Sequence, residues 1–78
     1  MTSQFLNDKY HVLKAISEGC TDFDDIVWYS GLIPVRVRGF LRYFLTHNDI
    51  SKSRKKPAQY ELTFKGREKL NHWELKKK

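Results

Sequence analysis

The sequence predicts an α+β domain, mainly α: a three-helix core, a two-stranded β-hairpin and a C-terminal helix. Three observations predict it. Helical periodicity runs over residues 8–18, 22–30 and 34–47, punctuated by Gly19, Gly31 and Pro34. The period then changes to two across 50–62. Finally, Thr63 opens another helical segment, which extends over 64–75. With 78 residues there is room for one core, so 1–78 is read as a single domain.

In the first helix, "NDKYHVLKAISEG" places Leu6, Tyr10, Leu13 and Ser17 on one stripe with Ile16 at its edge, and Gly19 suits a left-handed end. Phe5, Val12 and Ala15 lie beside that stripe, an apolar surface wider than one packing partner requires. The second helix has Thr21 as its N-cap, and Asp22, Asp24 and Asp25 put negative charge where the helix dipole favours it. Its buried face is Phe23, Ile26, Val27 and Ser30, while Trp28 and Tyr29 fall off the stripe. Pro34 opens the third helix with a preset φ and no N–H to leave unsatisfied. There Val37, Phe40, Leu41, Phe44 and Leu45 form a core face, and Asn48 is a candidate left-handed cap.

The hairpin is read from Ile50 and from "QYELT", with Tyr60 and Leu62 alternating against Gln59, Glu61 and Thr63. Its tip is "RKKP", where Pro57 stiffens the strand entry. Phe64, Leu70, Trp73 and Leu75 are the apolar positions of the last helix.

The composition, 40% hydrophobic and 31% charged, fits a folded module. No apolar run is long enough for a membrane span, and the first ten residues lack a signal-peptide pattern, so a cytoplasmic protein is expected. The single Cys20 excludes an internal disulfide. Net charge is +6 and unevenly placed. Residues 1–33 hold two lysines against five carboxylates, a net −3, whereas 34–56 hold seven cations against Asp49 alone, a net +6. Such a basic block is the footprint of a polyanionic partner, or else a solvated surface that maintains solubility.

Three local patterns appear in order: "ISEG" ending the first helix, "SGLIP" joining the second to the third, and "YELTFKGREKL" after a basic hairpin. Together they resemble winged helix-turn-helix domains of the MarR, ArsR and PadR-like groups and of small archaeal or viral transcription factors, over roughly residues 8–73. The resemblance implies a sequence-specific double-stranded DNA-binding regulator that lays the 34–47 helix in the major groove. On that reading Pro34, Val35, Arg36, Arg38, Gly39, Arg42 and Tyr43 face the duplex, with the arginines reaching guanine edges or phosphates. Lys52, Arg54, Lys55 and Lys56 on the wing would track the backbone or minor groove. Tyr29 or Ser30 would add a phosphate contact. Gly39 has two readings: close approach to DNA, or close packing against a neighbouring helix.

A homodimer is expected, with Phe5 and Val12 on the first helix and Trp73 and Leu75 on the last as its interface, because two modules related by a dyad read a pseudo-palindrome. No catalytic constellation is recognised. His11, His47, His72 and Cys20 lack zinc-site spacing, and helix capping accounts for the aspartates. The chain is therefore expected to be no enzyme and to use no cofactor, metal, small-molecule substrate or membrane. Two other readings stay open: a winged-helix protein-interaction module whose basic face meets an acidic partner, and a non-specific nucleic-acid binder.

Overall fold

The structure, a computed structural model, describes residues 2–56 and 58–77, with side chains described for 8–56 and 58–75. The order of elements is α1 (Thr2–Ser17), α2 (Phe23–Ser30), α3 (Pro34–Thr46), β1 (Ile50–Lys52), β2 (Tyr60–Leu62) and α4 (Phe64–Lys77). This is the expected α+β, mainly α architecture, with the hairpin as a wing. Helix α1 begins six residues before residue 8, because nothing in 2–7 is a glycine or proline that would stop it.

The core gathers around α1, which touches α2, α3, α4 and β2. Val12, Leu13, Ala15 and Ile16 are buried among Ile26, Val37, Phe40, Leu41, Phe44, Ile50 and Leu70. The wide apolar surface of α1 is thus consumed within the chain. Val12 is 0% exposed, which removes it from any dimer interface. Trp73 is half-buried, with its ring 6.5 Å from that of Phe44. Leu75 and Phe64 stand out in solvent instead of packing inward. The Phe5 side chain and Pro57 lie outside the described residues.

Gly19 ends α1 with a φ of 98°, and the Cys20 N–H donates to the Ala15 carbonyl at 2.9 Å. The N-cap of α2 is Asp22, not Thr21, and its side chain makes no capping bond. The reason is the wing: the Tyr60 N–H donates to the Thr21 carbonyl at 3.0 Å, and Asp22 bridges Gln59. The residues before α2 therefore act as a minimal third rung beside β2. Antiparallel β1 and β2 pair Ile50 with Leu62, Ser51 with Glu61 and Lys52 with Tyr60.

The densest set of polar contacts lies where α3, β1 and α4 meet. Asn48 takes a φ of 62°, turning the chain so that the Asp49 N–H reaches the Phe44 carbonyl at 2.9 Å. The Thr63 hydroxyl donates toward the Asn48 and Asp49 carbonyls, at 2.6 and 2.9 Å, and accepts the Gly66 N–H at 3.1 Å as the cap of α4. The Asp49 side chain is fully buried and pairs with Lys69 at 2.7 Å. Lys65 caps α3 by donating to the His47 carbonyl at 2.8 Å. Gly66 is required here: a Cβ would run into the Asp49 carbonyl. A second clasp holds the far end of α4, where Glu74 accepts from Tyr10 at 3.2 Å and Lys14 at 3.0 Å. Burial and the Glu74 carboxylate raise the Tyr10 phenol above its usual value, and Glu74 and Glu18 raise Lys14.

Gly66→Ala should destabilise the fold by at least about 2 kcal/mol, since backbone must move to admit one methyl group. Urea unfolding followed by circular dichroism measures it, and an unchanged midpoint would mean that α4 does not approach Asp49 so closely.

Candidate functional site

The outward surface of α3 and the wing carries seven of the fifteen lysines and arginines. Pro34 and Val35 are exposed in the first turn of α3, and Arg38, Gly39 and Arg42 are exposed along it. Gly39 faces open space, with nothing within 4 Å of a Cβ placed there. Of its two readings, close packing against another helix is excluded.

Two of the expected readers are differently engaged. The Arg36 guanidinium pairs with Asp8 of α1 at 2.7 Å and lies 5.4 Å from the Phe40 ring centroid, so its donors are turned back onto the domain. The α3 sequence is free of acid, but the fold supplies one from α1. Tyr43 is half-buried: its ring lies 4.2 Å from that of His47, and the Lys9 ammonium is 4.1 Å from its centroid. It faces α1 and α4 instead of standing with Arg38 and Arg42. Ser30 is also occupied, donating to the Val27 carbonyl and accepting the Leu32 N–H within the turn. Tyr29 is exposed on α2.

The remaining cations frame a cleft. Arg38 and Arg42 from α3 and Lys52 from β1 surround a hollow of about 390 Å³ whose other lining residues are Phe23, Leu41, Leu45 and Tyr60. Lys52 and Tyr60 are directly paired across the hairpin, so both project from the same face toward α3. Arg38 lies over the Phe23 ring at 5.3 Å, a cation–π contact that holds it at the rim. Among the described residues, no carboxylate forms an ion pair with Arg38, Arg42 or Lys52. Beyond the cleft, Arg54, Lys55 and Lys56 are exposed at the wing tip, where Ser53 accepts the Lys56 N–H at 3.3 Å. A second hollow of about 330 Å³, on the other flank of α3, is lined by Lys9, Arg36, Gly39, Phe40 and Tyr43.

The cleft is therefore a basic rim over an apolar and aromatic floor. Sequence reasoning placed Phe23 on a buried face and gave Tyr60 no site role. The signal that identifies them is the one-residue pairing of Asp22 with Gln59, which draws the start of α2 alongside the wing. Trp28 and Val35, which the sequence places outside the core faces, are exposed together with Ile33, which it did not place, and Trp28 is the most exposed at 83%. Among the described residues, no three His, Cys, Asp or Glu side chains gather where they could hold a metal ion. No helix of the described residues is long and apolar enough to cross a membrane.

No protein-family model matches the chain, and no curated protein is similar to it. One solved structure is similar in fold, an O-methyltransferase from neocarzinostatin biosynthesis in complex with S-adenosyl-L-homocysteine. The likeness has a TM-score of 0.66 at 20% identity and covers 83% of this chain. This chain spans only 20% of that enzyme's length.

The match corrects the functional reading of the sequence. The solved structure that matches is an enzyme and not a MarR-, ArsR- or PadR-like factor, so fold and motif order do not sustain a DNA-binding transcriptional regulator. The expectation that the chain is no enzyme is corrected on the same finding. At 20% identity what is shared is the fold, and the chemistry named for that enzyme belongs to that enzyme.

Gly39→Ala should raise stability by up to about 1 kcal/mol, because alanine is the better helix former and its methyl group meets open space. Thermal unfolding tests this; a lower midpoint would mean that a neighbour crowds the position.

Proposed function

We propose that this chain is a winged-helix interaction module that docks an acidic protein segment in the cleft between α3 and the wing. The observation that carries the reading is the cleft itself: three cations, Arg38, Arg42 and Lys52, stand without carboxylate partners among the described residues, over a floor of Phe23, Leu41, Leu45 and Tyr60. A groove of this composition suits a segment that offers both carboxylates and an apolar anchor. Charge provides orientation and encounter rate, and the floor contributes the desolvated contact that resists dissociation.

The similarity in fold supports this reading in one respect: the comparable fold is a fifth of a longer polypeptide, as a module that works alongside other protein surfaces would be. Arg54, Lys55 and Lys56 extend the positive field beyond the cleft and would speed association more than they tighten it. A cytoplasmic setting is part of the proposal, supported by the lone Cys20.

Titration with a fluorescent peptide rich in Asp, Glu and Trp, against a lysine-rich control and a random duplex, tests the reading. Saturable binding of the acidic peptide should weaken about tenfold in Arg42→Ala and in Lys52→Ala, each substitution removing one charged contact. Binding of the duplex alone, with a steep salt slope, would overturn it.

A further inference from the structure

The opposite side of α2 from the cleft carries a surface that the domain itself leaves uncovered. Asp24, Asp25 and Trp28 are all exposed. Trp28 follows Asp24 by four residues and Asp25 by three, so the three side chains share one face of the helix. An indole this exposed, flanked by two carboxylates, has no role in the core and no role in the turn to α3. Among the described residues, neither aspartate takes part in an ion pair.

This face and the cleft are chemical complements. The cleft offers an apolar floor with Arg38, Arg42 and Lys52 around it, and the α2 face offers a large apolar ring with two carboxylates beside it. The same division exists along the chain, net −3 over residues 1–33 and net +6 over 34–56. We propose that the segment docked in the cleft is the α2 face of a second copy of this chain. The inference rests on the docking reading above and names its partner.

The contact is head-to-tail. Phe23 of α2 forms part of the cleft wall, and Asp24 and Trp28 of the same helix form the complementary face on its other side. Each copy therefore sets its Trp28 into the cleft of one neighbour while its own cleft takes the Trp28 of another, a heterologous contact that repeats. Trp28 then serves as the desolvated anchor, and the aspartates meet Arg38 and Arg42 at the rim. The interface runs through α2, α3 and the wing, away from α1 and α4.

Charge reversal with sedimentation equilibrium tests the proposal on the full chain. Wild type should associate reversibly beyond the monomer mass, to a mean mass that rises with concentration and falls at high salt. Arg38→Glu with Arg42→Glu, and separately Asp24→Lys with Asp25→Lys, should each weaken self-association by more than about tenfold, because like charges then face each other in every contact. An equimolar mixture of the two variants should regain association, since every contact between unlike variants is then complementary. Trp28→Ala should weaken self-association about thirtyfold with unchanged thermal stability, as loss of an interface anchor does.

A wild type that stays monomeric, self-association indifferent to Trp28→Ala, or failure of the mixture to recover would each overturn the inference. If wild type is monomeric while the acidic peptide still binds in an Arg42-dependent way, the second-copy inference falls and the docking reading stands. If the peptide fails as well, both fall.

Discussion

The contact between the start of α4 and the Asp49 carbonyl is the constraint on which the rest of the fold depends. Three elements meet there within a few ångströms: α3 ends, β1 begins and α4 starts. Thr63 satisfies the Asn48 and Asp49 carbonyls in the link between the first two and an N–H of the third, and Gly66 supplies the only side chain, a hydrogen, that permits this approach. Asp49 is buried with its charge compensated by Lys69, and removing the lysine would leave an uncompensated carboxylate in the core. The angle between α3 and the hairpin is set at this junction. That angle defines the cleft, because Arg38 and Arg42 stand on one wall and Lys52 and Tyr60 on the other.

The charge pattern gains meaning once it is placed in three dimensions. Acid and base are not simply segregated along the chain. Asp8 reaches across from α1 to neutralise Arg36, Glu74 reaches back from α4 to Lys14, and Asp49 takes Lys69. These pairs tie helices together. Among the described residues, the cations without a carboxylate partner include those of the cleft and the wing tip together with Lys65 and Arg67 of α4, and the carboxylates without a cation include Asp24 and Asp25 on the far side of α2 and Glu61 on the wing. The basic cleft and the acidic α2 face thus stand as separate surfaces, an arrangement that favours association between complementary surfaces over a uniformly solvated exterior.

Much of the fold was legible from local chemistry. Gly19 and Gly31 end helices with positive φ, Pro34 opens α3, Asn48 takes the left-handed turn, and Thr63 caps α4, all from preferences that need no tertiary knowledge. The core face of α3 followed from spacing alone. What periodicity could not show was contact between distant segments. It saw Val12 and Ala15 as surplus because it could not know that α1 lies at the centre with neighbours on several sides. It saw α3 as an acid-free face because Asp8 is 28 residues away. It gave the "YELTFKG" motif a family likeness, while the physical reason for its threonine and glycine lies in Asp49, on another element. The candidate site suffered most, since a cleft between elements has no signature in any one of them.

The central claim is that the face formed by α3 and the wing docks the acidic α2 face of a second copy of the chain, and amide chemical shifts of the labelled chain followed with rising concentration test it most directly. The account predicts that the Trp28 indole and the amides of Asp24, Arg38, Arg42 and Lys52 shift together along one saturating curve. Shifts gathered on α1 and around Leu75 of α4, or no shifts at all, would contradict it.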